Sequence, residues 1–259
     1  MNYGLYLSAG GALHSLFRQD LYANNLANAN TIGFKPDLAF ARRRDPARLE
    51  ALSFEAASAD PRWMLEQMGG GLLGEPTRVR LAQGDLVPTG NDLDVALRGD
   101  GFLVARDDRS GRQLLTRDGR LTLDGESRLV LAASGMPVLD ADDGPITLDP
   151  SSSVAIDSRG TISQNGRAIA QLQVVRPDDP AALVKVGHSM LRIAGDAPSS
   201  LRPGDGELVQ GHLESSATDP IMTLNDMINA AKAVQANAQM MQYHDHVMGM
   251  AVNTFGRIA

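Results

Sequence analysis

Apolar residues recur in alternating steps of three and four positions along the C-terminal part of the chain. This spacing, kept for about four heptads from Leu224, predicts a helix that packs lengthwise against another helix, as in a coiled coil. Asp219 can cap the start of this helix, Pro220 suits its first position, and Gly256 suits its end. The predicted seam consists of Leu224, Met227, Ala231, Val234, Ala238, Met241, Asp245, Met248, Val252 and Phe255.

The first residues of the chain show the same alternation, although less regularly. One aspartate interrupts each seam, at Asp20 and at Asp245. We expect this N-terminal helix to end between Asn28 and Gly33, because Asn30 or Gly33 can adopt the left-handed conformation that stops a helix. The two ends of the chain are therefore predicted to form complementary helices. The N-terminal seam consists of Tyr6, Ala9, Leu13, Leu16, Asp20, Ala23 and Ala27, flanked by Leu5, Phe17 and Leu26.

Between Arg78 and about Gly211 the pattern changes to short runs of Val, Leu and Ile separated by turn dipeptides. Such dipeptides supply the positive φ angles that tight hairpins need. This region is therefore predicted to be an antiparallel β domain. The turn pairs are Asp118-Gly119, Asp124-Gly125, Arg159-Gly160 and Asn165-Gly166, and the predicted strands include residues 101–106, 113–116, 128–131, 154–156 and 168–175.

The stretch between these regions, residues 36–74, fits neither pattern. Its charged and Ala-rich part passes through Pro46 and Pro61 and stops at three consecutive glycines, so we predict a linker with a short helix near residues 62–68. The expected fold class is α+β, with discontinuous N- and C-terminal helices that form a coiled coil and a central antiparallel β domain. The expected domains are residues 1–34 with 218–259 for the helices, 35–77 for the linker and 78–217 for the β domain.

Composition narrows the possible functions. The chain has 259 residues, a formal charge of −7 and 43% apolar residues, which allows a sizeable core and argues against nucleic-acid binding. It has no cysteine, no apolar run long enough to span a bilayer, and none of the early basic residues typical of a signal peptide. We therefore expect no nucleic-acid binding and no direct membrane insertion.

The sequence contains few residues that could act together as catalytic groups or metal ligands. The five histidines do not cluster, and His244 and His246 stand two positions apart, which points them to different faces of a helix. Residues 140–144 resemble the start of a calcium loop, but position twelve is Ser151 where such loops carry a glutamate. We expect no catalytic residue, no metal site and no cofactor, and we predict that the chain is not an enzyme.

Residues 23–35, with the sequence ANNLANANTIGFK, stand out because four asparagines fall at a predicted helix end. Asn is a poor helix former and costs roughly 0.5 kcal/mol relative to Ala at each exposed position. Asn24 and Asn28 lie four apart on one face, where their amides can bond to a neighbouring backbone. A frayed polar helix end explains the asparagines equally well.

This segment resembles the N-terminal signature of the bacterial flagellar rod and hook proteins, in which Asn-Leu-Ala-Asn precedes a Thr-x-Gly-Phe turn. Three further segments are similar to that family's pattern in the same order, at residues 83–105, 116–125 and 211–228. Residues 36–74 do not match the longer segment of the distal rod protein. The resemblance therefore points to the proximal rod protein within this family.

The resemblance implies that the terminal helices pair into a coiled coil lining a tubular structure, with the β domain outside. It also implies uncleaved export by the flagellar export apparatus, a place in the periplasmic rod of the basal body, and contacts with other rod proteins and with copies of itself. We expect assembly to use the Asn-rich turn and the C-terminal seam. The residues concerned are Asn24, Asn25, Leu26, Asn28, Asn30, Gly33, Phe34, Leu224, Met227, Val234, Met241, Met248, Val252 and Phe255.

Other functions remain open from the sequence. A distal rod or hook subunit belongs to the same family and would form a longer homopolymer. A secreted β-domain module, of another class, would use the Asp-rich turns to bind calcium or a glycan. An enzyme is the third alternative, for which the sequence offers no convergent catalytic groups.

Overall fold

The computed structural model describes residues 3–43, 71–194 and 201–255. The chain divides into two compact units and has the α+β class of fold. We call the first the helical unit and the second the β unit. The helical unit contains Met1–Leu26, Leu38–Thr77 and Pro220–Ala259, and the β unit contains Ala27–Asp37 and Arg78–Asp219.

Two long helices form most of the helical unit. Helix α1, Tyr3–Ala27, and helix α2, Pro220–Phe255, have 25 and 36 residues, so they are about 37 Å and about 54 Å long. Helix α2 begins at Pro220, as predicted, and α1 gives way to a turn at the predicted place. The expected end of α2 at Gly256 lies outside the described residues. Neither described helix combines the length and apolarity needed to cross a membrane.

Side chains of α2 lie directly on two glycines of α1. A Cβ atom added to Gly4 would stand 2.6 Å from His244 Cε1, and one added to Gly11 would stand 2.8 Å from Asn237 Oδ1. A step of seven residues forward in α1 therefore corresponds to a step of seven residues back in α2. The two helices are antiparallel where they touch, and larger residues at these glycines would push the α2 side chains aside.

The segment predicted to be a linker begins and ends in strands. Strand β1, Asp37–Arg43, and strand β2, Leu72–Val79, form a two-stranded sheet. Most residues of β2 are exposed on both of its faces, so the strand lacks the apolar alternation by which a half-buried strand is predicted. The short helix predicted near residues 62–68 lies outside the described residues.

Short antiparallel strands make up the β unit. The strands are β3 Leu86–Pro88, β4 Val95–Arg98, β5 Phe102–Arg106, β6 Gln113–Thr116, β7 Leu121–Leu123, β8 Leu129–Leu131, β9 Val154–Ile156, β10 Thr161–Gln164, β11 Arg167–Gln171, β12 Val174–Pro177, β13 Leu183–Gly187, β14 Met190–Ile193, β15 Leu201–Pro203, β16 Glu207–Gln210 and β17 His212–Glu214. One sheet has the order β13-β14-β6-β5-β12-β15 and a second has β11-β10-β9, while β16 pairs with β4, β17 with β3, and β7 with β8. Within the β unit, the last two strands, β16 and β17, thus pair with the first two, β4 and β3.

Strand β5 lies between two apolar clusters of the β unit. Leu103 and Ala105 belong to the larger cluster, whereas Phe102 and Val104 belong to a second cluster. Successive side chains of a strand point to opposite faces, so both faces of β5 are buried. This double burial explains why β5 has an unbroken apolar sequence rather than an alternating one.

Most of the predicted strands are confirmed. Residues 113–116 and 154–156 are strands with the predicted bounds, and β5 and β8 each lack only the first predicted residue. The prediction of one strand over residues 168–175 is wrong, because β11 and β12 belong to different sheets. Between them, the Leu172 N–H still donates to the Gly160 carbonyl beside β10 at 2.8 Å, whereas the next N–H, that of Gln173, donates to the Leu139 carbonyl at 3.1 Å.

The glycine turns serve two purposes. Asn165-Gly166 joins the paired strands β10 and β11 with φ angles of 51° and 77°, as a tight hairpin requires. Asp118-Gly119 instead joins β6 to β7, which lie in different sheets. A Cβ at Gly119 would stand 1.6 Å from the Val95 carbonyl oxygen, so this position requires glycine for close backbone approach.

Two isoleucines on neighbouring strands provide a test of this core. Ile162 on β10 is 0% exposed and Ile169 on β11 is 46% exposed. We expect Ile162→Ala to lower the free energy of unfolding by about 2 to 5 kcal/mol, because it leaves a cavity in the larger cluster. The matched control Ile169→Ala should cost less than about 1 kcal/mol. Urea unfolding followed by circular dichroism measures both, and equal losses would contradict this assignment of the core.

Candidate assembly surfaces

The turn that follows α1 is closed by its own hydrogen bonds. The Thr31 N–H donates to the Asn28 carbonyl at 3.1 Å, and the Thr31 hydroxyl donates to Asn28 Oδ1 at 3.1 Å. Gly33 takes the predicted left-handed conformation with a φ of 65°, and its N–H donates to the Glu214 carbonyl at 2.8 Å. A Cβ at Gly33 would lie 2.5 Å from the carbonyl carbon of Arg117, so the turn requires glycine.

A buried carboxylate holds the residue that ends this turn. The Glu214 side chain is 0% exposed, and its Oε1 accepts from Lys35 Nζ at 2.5 Å and from the Gly84 N–H at 2.9 Å. Its Oε2 accepts from Arg117 Nη1 at 3.0 Å. Lys35 Nζ also donates to the Ala82 carbonyl at 2.8 Å. We call Lys35, Arg117 and Glu214 the ion triad.

The guanidinium of Arg117 is bound on several sides. Its Nη1 also donates to the Leu97 carbonyl at 3.3 Å and its Nη2 to the Gly99 carbonyl at 2.7 Å, while the Phe102 ring centroid lies 5.1 Å away. Arg117 and Lys35 are 6% and 3% exposed. Since water cannot solvate either cation, both depend on the Glu214 carboxylate for compensation.

Burial lowers the pKa of Lys35, and the hydrogen bond from Lys35 to Glu214 opposes this shift. Lys185 shows the same balance, because burial lowers its pKa while its hydrogen bond to Asp37 opposes the shift. The Lys185 Nζ lies 2.8 Å from Asp37 Oδ2 and 4.0 Å from the centroid of the Phe34 ring. Cations therefore flank the residues that follow the turn. Phe34, which is 6% exposed, lies inside the β unit rather than on its surface.

The asparagines of the motif differ in burial. Asn25 is 4% exposed, whereas Asn24 and Asn30 are exposed and Asn28 is half-buried. Because α1 ends at Ala27, Asn28 belongs to the turn and does not share a helical face with Asn24. The expectation that these two amides lie on one helical face is therefore wrong. Leu26, the remaining residue of the predicted motif, is half-buried.

The predicted seam of α1 is exposed in the chain. Leu13 and Leu16 are 68% and 43% exposed, and Tyr6 and Phe17 are 57% and 43% exposed. The expectation that this face packs against the other end of the same chain is not met, because the close contacts with α2 are made at Gly4 and Gly11. The protected residues of α1 are instead Leu21 and Asn25 near its end and the small residues Ser8, Ala12 and Ser15 along its length.

The predicted seam of α2 is protected only in part. Leu224 and Val252 are 43% and 71% exposed, and Asp245 is also exposed. The half-buried members are Met227, Ala231, Val234, Ala238, Met241 and Met248. The best protected residue of α2 is Ala230, at 2% exposed, one position before the predicted Ala231. The contact residues Asn237 and His244 also stand one position before predicted ones, Ala238 and Asp245. The side chain of Phe255 lies outside the described residues.

Many large apolar side chains of α2 are exposed. Few monomeric proteins show so much apolar surface along one helix, and such surface usually marks an interaction site. The exposed residues are Ile221, Met222, Leu224, Ile228, Met240, Tyr243, Val247, Met250 and Val252.

The Asp-rich turns use their carboxylates to stabilise the backbone. Asp140 Oδ1 accepts from the N–H groups of Asp142 at 3.0 Å and Gly144 at 2.7 Å. The hydroxyl of Ser151 lowers the pKa of Asp149 by a hydrogen bond of 2.6 Å. Among the described residues, no group of three or more His, Asp or Glu is arranged to hold a metal ion. These observations do not favour the calcium-binding alternative.

Sequence reasoning did not single out Arg117 and Glu214. Both lie within the segments that resemble the flagellar family, at residues 116–125 and 211–228, but the resemblance assigned no role to either residue. Glu214 follows the buried Leu213 on a short strand, so a strict in-and-out alternation would have placed it in water. Lys35 was recognised only as the end of the motif.

A long helix at each end of the chain, exposed apolar helical faces and a rigid β unit define a class of protein built for subunit contacts. Three families match the sequence, described as "Flagella basal body rod protein" over residues 5–35, "Flagellar hook protein FlgE/F/G D1 domain" over 96–164 and "Flagellar basal body rod FlgEFG protein C-terminal" over 209–254. The first and last of these regions cover most of both helices.

Similar proteins extend over the whole chain. The flagellar basal-body rod protein FlgF of Caulobacter vibrioides is 32% identical over 262 residues, which cover 100% of each chain. The FlgF protein of Rhizobium meliloti is 28% identical over 99% of each chain. The FlgG protein of Borreliella burgdorferi is 29% identical over 96% of this chain and 97% of its own. The chain therefore belongs to the family of flagellar basal-body rod proteins of the FlgF/FlgG type.

The ion triad predicts a large loss of stability when its acid is neutralised. We expect Glu214→Gln to lower the free energy of unfolding by about 3 to 5 kcal/mol, because it leaves Lys35 and Arg117 buried without an anion. The control Asp178→Asn removes the acid of a partly exposed pair with Arg202 and should cost less than about 1 kcal/mol. Chemical unfolding of the full chain gives both values. A loss below 1 kcal/mol for Glu214→Gln would show that the triad is not needed.

Proposed function

We propose that this chain is a structural subunit of the bacterial flagellar basal-body rod and that it binds neighbouring subunits through its terminal helices. The observation that carries the proposal is the exposure of large apolar side chains on both helices, such as Leu13 at 68% and Tyr243 at 67%. Burial of such side chains releases roughly 25 cal/mol per Å² of apolar surface. A monomer gains none of this free energy, whereas an assembly does.

The two helices act together as one element of the rod wall. Their antiparallel contacts at Gly4 with His244 and at Gly11 with Asn237 repeat after seven residues, which is the repeat of a coiled coil. We infer that this heptad contact continues along α1 as an antiparallel coiled coil. Small residues on the protected face of α1 allow the helices to approach closely, which supports this inference.

The residues of the Asn-rich motif divide into two roles in this proposal. Asn24 and Asn30 are exposed, and we assign them to the contact with a neighbouring subunit. Gly33 and Phe34 are buried in the β unit, so they contribute by fixing the shape of the turn rather than by touching another subunit. The half-buried seam residues of α2 stabilise the helical pair, and Leu224 and Val252 lie where another chain can cover them.

The partners of this subunit are other rod proteins and further copies of the same chain, and its place is the periplasmic part of the basal body. We also propose that the flagellar apparatus exports the chain without cleaving it, and that the chain has no enzymatic activity. The proximal position in the rod, that of FlgF, is supported by 32% identity to a FlgF protein over the full length of both chains.

A charge on the exposed face of α1 tests the proposal. We expect Leu13→Asp to abolish swimming when it replaces the chromosomal gene, because the aspartate would have to be buried in the assembled rod. The control Ile169→Asp places the same charge on an exposed residue of the β unit and should leave swimming close to normal. Soft-agar motility measures the effect, and circular dichroism of both purified variants confirms that they fold.

Electron microscopy of basal bodies from the same strains decides between the possible outcomes. The proposal expects rods that are missing or stop early in the Leu13→Asp strain. Normal rods and normal swimming in that strain would show that the exposed face of α1 is not an assembly surface.

A further inference from the structure

Helix α1 has two contact faces on opposite sides. Gly4 and Gly11 face α2 of the same chain, as their contacts with His244 and Asn237 show. Leu13 follows Gly11 by two positions, which is about 200° around the helix at about 100° per residue. Leu13 and the residues in line with it therefore point away from the α2 of the same chain. We call Tyr6, Ala9, Leu13 and Leu16 the outer stripe of α1.

Helix α2 carries a second apolar line beside its protected one. Met240 and Tyr243 are 50% and 67% exposed, and Val247 and Met250 are 56% and 51% exposed. These residues are spaced by steps of three, four and three, so they lie on one face of the helix. We call these four residues the outer stripe of α2.

The two outer stripes match when the helices run antiparallel. The outer stripe of α1 also has steps of three, four and three. Placing Leu13 opposite Tyr243 brings Leu16 opposite Met240, and every other member of each stripe also meets an apolar residue. The remaining pairs are Ala9 with Val247 and Tyr6 with Met250.

Charge favours the same alignment. Asp20 continues the outer stripe of α1 and is exposed. In this register it stands opposite Ala236, one helical turn from Lys232, which is exposed and is the only Lys or Arg of α2. Residues four apart share a helical face, so the Lys232 ammonium can reach the Asp20 carboxylate.

The direction of the helices indicates which molecule supplies the partner. Within one chain α1 and α2 are antiparallel where they touch, so a second copy that is not turned over presents its α2 antiparallel to the first copy's α1. The contacts within one chain place Leu13 level with Gln235, so the alignment with Tyr243 requires the second copy to be displaced sideways and also by eight residues, about 12 Å, along the helix axis. Such a contact is heterologous, because two different surfaces meet and each copy of a pair still presents one outer stripe that the pair does not use. An assembly built from this contact grows by repeating it.

On the basis of the proposed function, we propose that the outer stripe of α1 packs antiparallel against the outer stripe of α2 from a second copy of this chain, with Leu13 opposite Tyr243. Each α1 then lies between its own α2 and that of its neighbour. The contact would bury on the order of 800 Å² in total, less than the 1,200 to 2,000 Å² of a stable complex. Isolated pairs are therefore weak, and growth depends on contacts to more than one neighbour.

The absence of cysteine from the chain makes disulfide trapping specific. One copy of the gene would carry Leu13→Cys and a second copy Tyr243→Cys, both expressed in motile cells, followed by mild oxidation. Opposed residues fall within the 4.4 to 6.8 Å between Cα atoms that a disulfide allows. We expect a covalent dimer in isolated basal bodies that contains one of each variant.

A matched control tests the register. Met250→Cys replaces Tyr243→Cys, with an exposed position seven residues further along the same stripe, which is about 10 Å away. We expect at least a tenfold lower yield of the dimer with Leu13→Cys. A dimer of Leu13→Cys with itself, or an equal yield with Met250→Cys, would overturn the proposal.

Motility of the same strains separates this inference from the proposed function. If the cells swim but Leu13→Cys forms no disulfide with Tyr243→Cys, the contact between copies is wrong, while the assignment as a rod subunit stands. If deletion of the gene leaves rods and swimming intact, the proposed function itself is wrong.

Charge reversal gives a second measurement of the contact between copies. Either Asp20→Lys or Lys232→Asp alone should reduce swimming, and the two changes together should restore it.

Discussion

Burial of the Glu214 carboxylate obliges the β unit to supply it with cations and N–H donors. It obtains them from Lys35, next to the turn after α1, and from Arg117, after β6. Desolvating an ion costs several kcal/mol, so these three charges are tolerable only when all of them are in place. The N-terminal turn, the middle of the β unit and its last strand are thereby fixed to one another. The left-handed Gly33, whose N–H donates to the backbone of Glu214, completes this arrangement.

The helical unit follows a different principle, in which α1 meets α2 through small residues while several large apolar residues of both helices are exposed. Gly4 and Gly11 admit side chains of α2, whereas Leu13 and Leu16 remain exposed. An isolated protein loses stability by such an arrangement, because its largest apolar side chains stay in water. A subunit of a larger structure does not, since those side chains are buried on assembly. In the rod subunit that we propose, the helices therefore combine a contact within the chain with an apolar surface that neighbouring subunits cover.

Much of this organisation is predictable from the sequence, and the failures have physical causes. The apolar periodicity predicted both helices, and the ability of glycine to adopt a positive φ predicted the turn that contains Gly33. Both signals are local in sequence. Periodicity could not decide which face of α1 meets its own α2, since the apolar stripe predicts a contact but not the molecule that provides it. The ion triad was missed because Lys35, Arg117 and Glu214 are distant in sequence, and a charged residue on a short strand is normally exposed. Strand β2 was missed because its apolar residues do not alternate.

We propose that the terminal helices of this chain are rod-wall elements whose exposed apolar faces are covered by other subunits. Electron cryo-microscopy of purified basal bodies, at a resolution that shows side chains, tests it most directly. We expect a neighbouring helix packed against Leu13 and Leu16 of α1, with the small residues of the opposite face against the chain's own α2. A rod in which Leu13 and Leu16 face open solvent, or in which the chain is absent, would contradict it.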